Sequence, residues 1–321
     1  MTRTVAEGSH GAIESARRSG LLVPGEPVVV MVSGGPDSVC LLDVAAKIVG
    51  PDRVVALHVD HGLRPTEADL EVCSALCERL GVGLEVARLD PDSGSGNLQA
   101  WARESRYRLG LDLAEANRAS LAVGHTASDQ AETILYRLAA APGRRALLGM
   151  KPKVGRIVRP LLGVERSITV DYCRSHGLPT VNDPSNETDR FARNRVRRRL
   201  VAALREIHPA AEANVIATAE ILRDEAEVLD SLVDGLVDGE APDRSIPLAR
   251  LREQPAALRR LTVQRLADDA VGRLAPGVAR RADEIAAMPL EGKSMLDLPS
   301  GVRAVAERGV LRFVPQVGRG G

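Results

Sequence analysis

Four times between Val28 and Leu138 an apolar run of strand length gives way to a segment of helix length. "VVVMV" (Val28 to Val32) precedes a helical pattern from Val39 to Val49, and "VVALHVD" (Val54 to Asp60) precedes one from Thr66 to Leu80 that stops at Gly81. "LEVARL" (Leu84 to Leu89) precedes Leu98 to Ala116, and "LAVGH" (Leu121 to His125) precedes Ser128 to Leu138. Short runs of Val, Leu and Ala suit strands buried on both faces, and the segments between them are the helical crossovers that parallel strands require. The expected fold class is α/β: a doubly wound parallel sheet of order 3-2-1-4-5. After residue 200 the pattern turns helical to about Ala287 and closes on a short β-like end, "SMLDLPSGVRAVAERGVLRFV". Two domains are therefore expected, 1–205 and a mostly helical 206–321, bridged by an Arg-rich helix around Arg195.

With 321 residues, 44% hydrophobic and 27% charged, the chain has enough apolar material for both cores. Its first twenty residues lack a secretory apolar core, and no stretch approaches the ~18 apolar residues of a membrane span, so the expected location is the cytoplasm. Cys40, Cys73, Cys77 and Cys173 form no Cys-x-x-Cys pair, which argues against a disulfide frame or zinc knuckle and for buried free thiols. "DPDSGSGN" (Asp90 to Asn97) is expected to be a mobile loop. Net charge is zero, yet Lys151 to Arg205 holds 13 Lys and Arg against 5 Asp and Glu. A basic block of this kind suits a polyanion such as nucleic acid, or else a solvated helix face.

The turn after the first strand, "SGGPDS" (Ser33 to Ser38), carries two glycines, two hydroxyls and a carboxylate but no lysine. Glycines after a buried strand admit a phosphate close to the backbone, and the helix that follows offers unpaired N–H groups and the positive end of its dipole. The pattern is neither G-x-x-x-x-G-K-[ST] nor G-x-G-x-x-G. Ser33, Ser38 and backbone amides would hold the anion, with Asp37 sharing a Mg²⁺ with phosphate oxygens; the alternative is a plain turn in which Asp37 or Ser38 caps a helix. In the expected strand order the loops after Val32 and Val123 face one crevice, which sets His125, Asp129 and Glu132 opposite the phosphate loop. Asp129 and Glu132 are three apart on one helical face, suited to hold Mg²⁺, orient an ammonium group or take a proton, or simply to decorate a helix N-terminus. Arg103 and Arg106 share a face too and could offset developing phosphate charge. His58, Asp60 and His61 end the second strand, as a nucleotide contact or a strand cap. "RNRVRRR" presents Arg193, Arg195, Arg197, Arg198 and Arg199 for a phosphate backbone. Aromatics make up 2% of the chain, leaving Trp101, Tyr107 and Phe191 as candidates for base stacking or as core.

"SGGPDS" resembles the PP-loop of the N-type ATP pyrophosphatases, whose fold is of the adenine nucleotide alpha hydrolase type. With "HVDHGLRP" (His58 to Pro65), "NLQAWARESRYRLG" (Asn97 to Gly110), "GHTASDQAETILYRL" (Gly124 to Leu138) and "DPSNETDRFARNRVRRRL" (Asp183 to Leu200), the chain resembles the tRNA(Ile)-lysidine synthetase family over roughly residues 25–205. The resemblance implies an AMP-forming ligase that joins L-lysine to C2 of the wobble cytidine of a CAU-anticodon tRNA(Ile), so that AUA is decoded in place of AUG. ATP and Mg²⁺ are the implied cofactors. Adenylating the C2 oxygen first turns a poor leaving group into AMP and splits one hard step into two. Carried over by position, the resemblance assigns ATP to Ser33, Gly34, Gly35, Pro36, Asp37, Ser38, His58 and His125. It assigns catalysis to Asp37, Arg106, Asp129 and Glu132, the metal to Asp37 and Asp129, and tRNA to Arg193, Asn194, Arg195, Arg197 and Arg198. A homodimer is common in the family. This chain departs from it at Ser128, where members commonly carry an acid, and at "AAAPGRRALLGM", where many carry Arg-Gly-Ser-Gly; the extra C-terminal domain of longer members is expected to be absent. The rivals are a PP-loop tRNA thiolase, which would need catalytic cysteines or a metal cluster; a small-molecule synthetase, which would have little use for the Arg-rich helix; and a non-catalytic ATP- or tRNA-binding protein.

Overall fold

Val28, Val30 and Val32 of strand β1 (Val28–Val32) face one hydrophobic core and Val29 faces another, the two-residue period of a strand covered on both sides. The computed structural model describes residues 5–60, 62, 67–90, 98–140, 143–181 and 192–316, which divide into two compact units, Met1–Glu220 and Ile221–Gly321. His61, Phe191, residues 91–97 of the Gly-Ser stretch and the expected motif before Ala192 lie outside the described residues.

In the first unit the chain runs α1 (Val5–Arg18), β1, α2 (Pro36–Val49), β2 (Val54–Asp60), α3 (Glu67–Leu80), β3 (Gly83–Arg88), α4 (Leu98–Ala116), β4 (Ser120–Ala122) and α5 (Ala127–Ala140). It continues with α6 (Arg144–Leu147), β5 (Lys153–Val154), β6 (Ile157–Val158) and α7 (Arg166–Ser175). The sheet order is β3-β2-β1-β4-β6-β5, parallel except for the β5–β6 hairpin, with Val28 opposite Val54 and Ser120, and Leu121 opposite Ile157. The doubly wound parallel sheet is thus as expected. Its fifth parallel place is taken by β6, a strand of two residues too short to leave a periodic signal.

Helix α2 buries eleven of its fourteen residues and packs against β1, α1 and α7. On the opposite face, Ala114 of α4 joins Val29, Leu57, Val59 and Leu121 in a separate cluster. The Arg-rich segment is helical but not uniformly α: α8 (Ala192–Arg195) passes through a π-helical turn, Val196–Val201, into α9 (Ala202–Ile207). Such widened turns concentrate at functional sites. Residues 206–220 group with the N-terminal sheet, so the expected boundary at 205 falls inside the first unit, and Glu220 lies within α10 (Ala211–Asp234).

The second unit holds β7 (Ser245–Pro247), α11 (Leu248–Glu253), α12 (Ala256–Val271), α13 (Ala282–Ala286), β8 (Lys293–Leu298), β9 (Val302–Glu307) and β10 (Val310–Pro315). Its strands form an antiparallel sheet of order β7-β10-β9-β8, whose buried Ile246, Val302, Leu311 and Phe313 pack with Leu266 of α12. The β-like end is therefore half of an α+β unit with its own core. Its partner strand β7 had been hidden by its length of three residues. Among the described residues no helix is long and apolar enough to cross a membrane.

Candidate active site

Strand β1 ends at Val32, and the chain turns through Ser33, Gly34 and Gly35 into α2, which Pro36 opens. Proline is tolerated there because the first helical N–H has no partner in any case. Gly34 sits at φ +75°, where a Cβ would also come within 3.4 Å of the Asp69 Cα. The turn is closed by Ser38: its Oγ accepts the Ser33 amide at 3.1 Å, donates to Gly35 O at 2.9 Å and lies 3.2 Å from the Ser33 Oγ. Pro36 has no amide and the Ser38 N–H donates to Gly35 O at 3.1 Å, so of the first-turn amides of α2 that of Asp37 remains for whatever the loop encloses.

Asp37, in that first turn, is held from α7. Its Oδ1 accepts the Thr169 hydroxyl at 2.5 Å and its Oδ2 lies 3.7 Å from Arg166 Nε. Burial raises its proton affinity above the ordinary carboxylate range, against the pull of Arg166 and Thr169, and Asp129 raises it further. The turn between β4 and α5 passes so close to α2 that a Cβ on Gly124 would stand 3.1 Å from the Asp37 carbonyl and 3.2 Å from the Ser38 Cα. Glycine at this one place brings His125 beside the phosphate loop.

Asp129 is set by its own helix. Thr126 precedes α5, and its N–H and hydroxyl donate to Asp129 Oδ2 at 2.9 and 3.1 Å, one half of a capping box, which leaves Oδ1 for another partner. That partner is Arg193, whose Nη2 donates to Oδ1 at 2.7 Å while its Nε donates to Glu132 Oε2 at 3.0 Å. Arg197 grips the same pair, through Nε to Glu132 Oε1, Nη2 to Glu132 Oε2 at 3.1 Å and a contact with Asp129 at 3.6 Å. Two acids three apart on α5 thus mesh with two arginines four apart on the Arg-rich segment. Burial pushes Asp129 up, but Arg193, the Thr126 amide and Arg197 outweigh it and hold the carboxyl below its ordinary range. Burial lowers Arg197, and the hydrogen bond and charge of Glu132 more than reverse this.

His125 is mostly buried, which drops its pKa to about 4 despite the charge of Asp129, so at neutral pH the imidazole is uncharged and its Nδ1 accepts Arg159 Nε at 3.2 Å. His58 donates Nδ1 to Val32 O at 3.1 Å, and its buried Nε2 has no partner among the described residues. Arg106 is lowered by burial and then by Arg103, and its Nε is likewise unpartnered.

These groups surround one cavity of about 400 Å³. Of the residues singled out from the sequence, Ser33, Gly35, Pro36, Asp37 and Ser38 line one side of it, and His58, Arg106, His125 and Asp129 line the rest together with Arg193, Asn194 and Arg197. Gly34, Glu132, Arg195 and Arg198 do not line it; Glu132 lies behind the two arginines, 2% exposed at the side chain, and Arg195 and Arg198 are exposed. Arg193 and Arg197, expected on a strip facing RNA, are turned onto the carboxylates. The sequence reading missed Arg166, Thr169 and the cavity-lining Asp69, and no local signal marks them: Thr169 reaches Asp37 across 132 residues of chain. Tyr107, expected in the core rather than as a stacking partner, lines the cavity with the Arg103 guanidinium 5.1 Å from its ring centre. Ser128, the departure from the acid pair, accepts the Arg166 amide at 3.5 Å.

All four cysteines are buried and unpaired, burial pushing Cys73 and Cys77 up to about 12 and 11, and among the described residues no cluster of His, Cys, Asp and Glu could hold a metal unaided. The thiols are inert.

A family model described as the PP-loop domain matches residues 14–204. Over 94% of its length the chain is 37% identical to a tRNA(Ile)-lysidine synthase of Symbiobacterium thermophilum, covering 69% of that protein. It is 39% identical to the Gloeobacter violaceus protein of the same name (79% of this chain, 80% of the relative) and 34% identical to that of Leifsonia xyli subsp. xyli (97% and 95%). Among solved structures, the U34-tRNA thiolase NcsA of Methanococcus maripaludis superposes with a TM-score of 0.56 at 15% identity, over 66% of this chain and 79% of that one. A likeness at that identity speaks for the fold alone.

Proposed function

Because the chain belongs to the tRNA(Ile)-lysidine synthase family, ATP-dependent ligases acting on tRNA with a PP-loop domain, we propose how its own residues divide that reaction. The observation that carries the proposal is the convergence of the phosphate loop, Asp37, Asp129 and two arginines on one cavity.

ATP is placed with its phosphates on the Ser33–Ser38 turn and the Asp37 amide at the start of α2, and with its nucleoside toward His58, whose unpartnered Nε2 offers it a hydrogen bond. Asp37 and Asp129 fit Mg²⁺: they are hard oxygen donors facing one cavity, near enough that Asp129 bears on the proton affinity of Asp37. Two carboxylates without further protein ligands suit an ion that takes its remaining oxygens from phosphate and water. Bound there, it would neutralise charge on the departing pyrophosphate. Arg106, half-buried with its Nε unpartnered, lines the same cavity and faces the same charge.

The wobble cytidine enters from the side of Arg193 and Arg197, its C2 oxygen takes the adenylyl group, and the amine of L-lysine then displaces AMP. Asp129, which lines the cavity and stays ionised, orients the ammonium group of lysine by its charge. Glu132, out of the cavity, positions Arg193 and Arg197 against the phosphate of the leaving AMP. The exposed Arg195 and Arg198 serve the tRNA backbone.

The test is product analysis with ATP, Mg²⁺, labelled lysine and either the CAU-anticodon isoleucine tRNA or the methionine tRNA of the same anticodon. Lysine on the wobble cytidine of the first tRNA alone, with AMP released, supports the reading. No incorporation, with sulfur transferred when a donor is added, would replace it with the thiolase.

A further inference from the structure

Around His125, which lines the cavity, stands a group of arginines that the reaction scheme does not use. Arg159 donates Nε to His125 Nδ1 at 3.2 Å and Nη1 to Lys151 O at 2.7 Å. Arg137, exposed on α5, donates Nη1 to Gly149 O at 2.7 Å. The two guanidiniums are therefore clipped to carbonyls two residues apart on one turn. That turn is itself pinned by Gln130, which accepts the Met150 amide at 2.6 Å and donates to its carbonyl at 2.9 Å. Arg103 completes the group from α4, its Nη2 3.4 Å from the Tyr107 hydroxyl.

Among the described residues none of the three makes an ion pair, in a unit where Arg166, Arg174, Arg193, Arg197 and Arg205 all do. They press on one another instead. Burial and then the charges of Arg159 and Arg103 lower Arg137, and both arginines also act to lower His125. The imidazole among them carries no charge at neutral pH. Three cations held close by neutral acceptors, with donors to spare on each guanidinium, make a place that is electrostatically complete only with an anion.

We propose that Arg103, Arg137 and Arg159 form a seat for a phosphodiester of the bound RNA, next to the nucleotide whose base enters the cavity. The inference rests on the tRNA-ligase reading of the cavity. The anion is RNA and not the ATP triphosphate because Arg137 and Arg159 do not line the cavity, while the triphosphate has its own cradle at Ser33–Ser38 inside it. Arg103 lines the cavity and joins the two places.

The test measures binding of an anticodon stem-loop RNA across a salt series, and separately the KM for ATP, in Arg137→Gln, Arg137→Lys, Arg159→Gln and Arg159→Lys. Losing one phosphate contact should flatten the plot of log affinity against log salt by about 0.7, weaken RNA binding about ten-fold at low salt and leave the ATP KM within about two-fold. The lysine variants should keep the wild-type slope while the glutamine variants lose it, a split that a role confined to clipping the turn would not produce. Arg137→Gln, on an exposed side chain, keeps the test open if Arg159→Gln fails to fold. An unchanged slope in Arg137→Gln overturns the seat, as does a raised ATP KM with unaltered RNA binding. The binding assay needs no turnover: a wild-type protein that transfers no lysine but loses salt dependence in these variants would sink the reaction scheme and keep the seat.

Discussion

Replacing Glu132 with Gln changes one oxygen for an NH₂ group and tests the arginine clamp with little change of shape. Glu132 is 2% exposed at the side chain and takes three donor contacts, from Arg193 Nε, Arg197 Nε and Arg197 Nη2. The amide accepts at only one oxygen and carries no charge, so each contact loses about 1 kcal/mol of charge assistance, about 3 kcal/mol in all. The guanidiniums are 40% and 26% exposed, so water recovers part of this and about 2 kcal/mol remains. For a unit of this size that is a fall in Tm of about 4–8 °C, read by thermal denaturation. The effect on the reaction should be larger and confined to one step. With the arginines no longer held against the leaving AMP, single-turnover lysine transfer should drop by about 10²-fold, while the ATP KM stays within about three-fold because the Ser33–Ser38 turn keeps its own hydrogen bonds. Equal transfer in wild type and variant would refute the argument, and a parallel loss of ATP affinity would assign the arginines to the nucleotide.

Thr169→Val removes the 2.5 Å donor to Asp37 from a fully buried site, and should cost about 1–3 kcal/mol of stability and lower ATP-dependent AMP release; unaltered release would show that Asp37 needs no positioning from α7. Gly124→Ala drives a methyl against the Asp37 and Ser38 backbone, so Tm should fall by a few degrees and turnover with it, a correlation that a permissive loop would not show. His125 binds its proton at about 4 in the fold against 6.5 ordinarily. The unfolded chain therefore takes up the proton first. The contribution of His125 is complete above pH 6.5 and is lost as pH falls toward 4, up to about 3 kcal/mol. Denaturant titrations at pH 7 and pH 4.5 should show His125→Gln losing less stability than wild type over that interval, and superimposable profiles would remove His125 from the acid response.

The sequence by itself determined whatever depends on neighbours in the chain. The four strand–helix repeats specify a parallel sheet covered on both faces because Val28, Val30 and Val32 must leave water on one side and Val29 on the other. Gly34 and Pro36 specify the turn into α2, the Thr126–Asp129 spacing specifies the start of α5, and the motifs together specify the family. Tertiary structure alone decided what depends on distance. The strands β5, β6 and β7 are two or three residues long and exist only through pairing, β5 with β6, β6 with β4, and β7 with β10. The three-apart acids and the four-apart arginines were each visible as a face, but a helical face does not say what it meets. The fold set Arg193 and Arg197 on Asp129 and Glu132, separating a carboxylate in the cavity from one behind it. Thr169 reached Asp37 for the same reason: burying α7 against α2 brings a hydroxyl to a carboxylate with which it shares no local pattern.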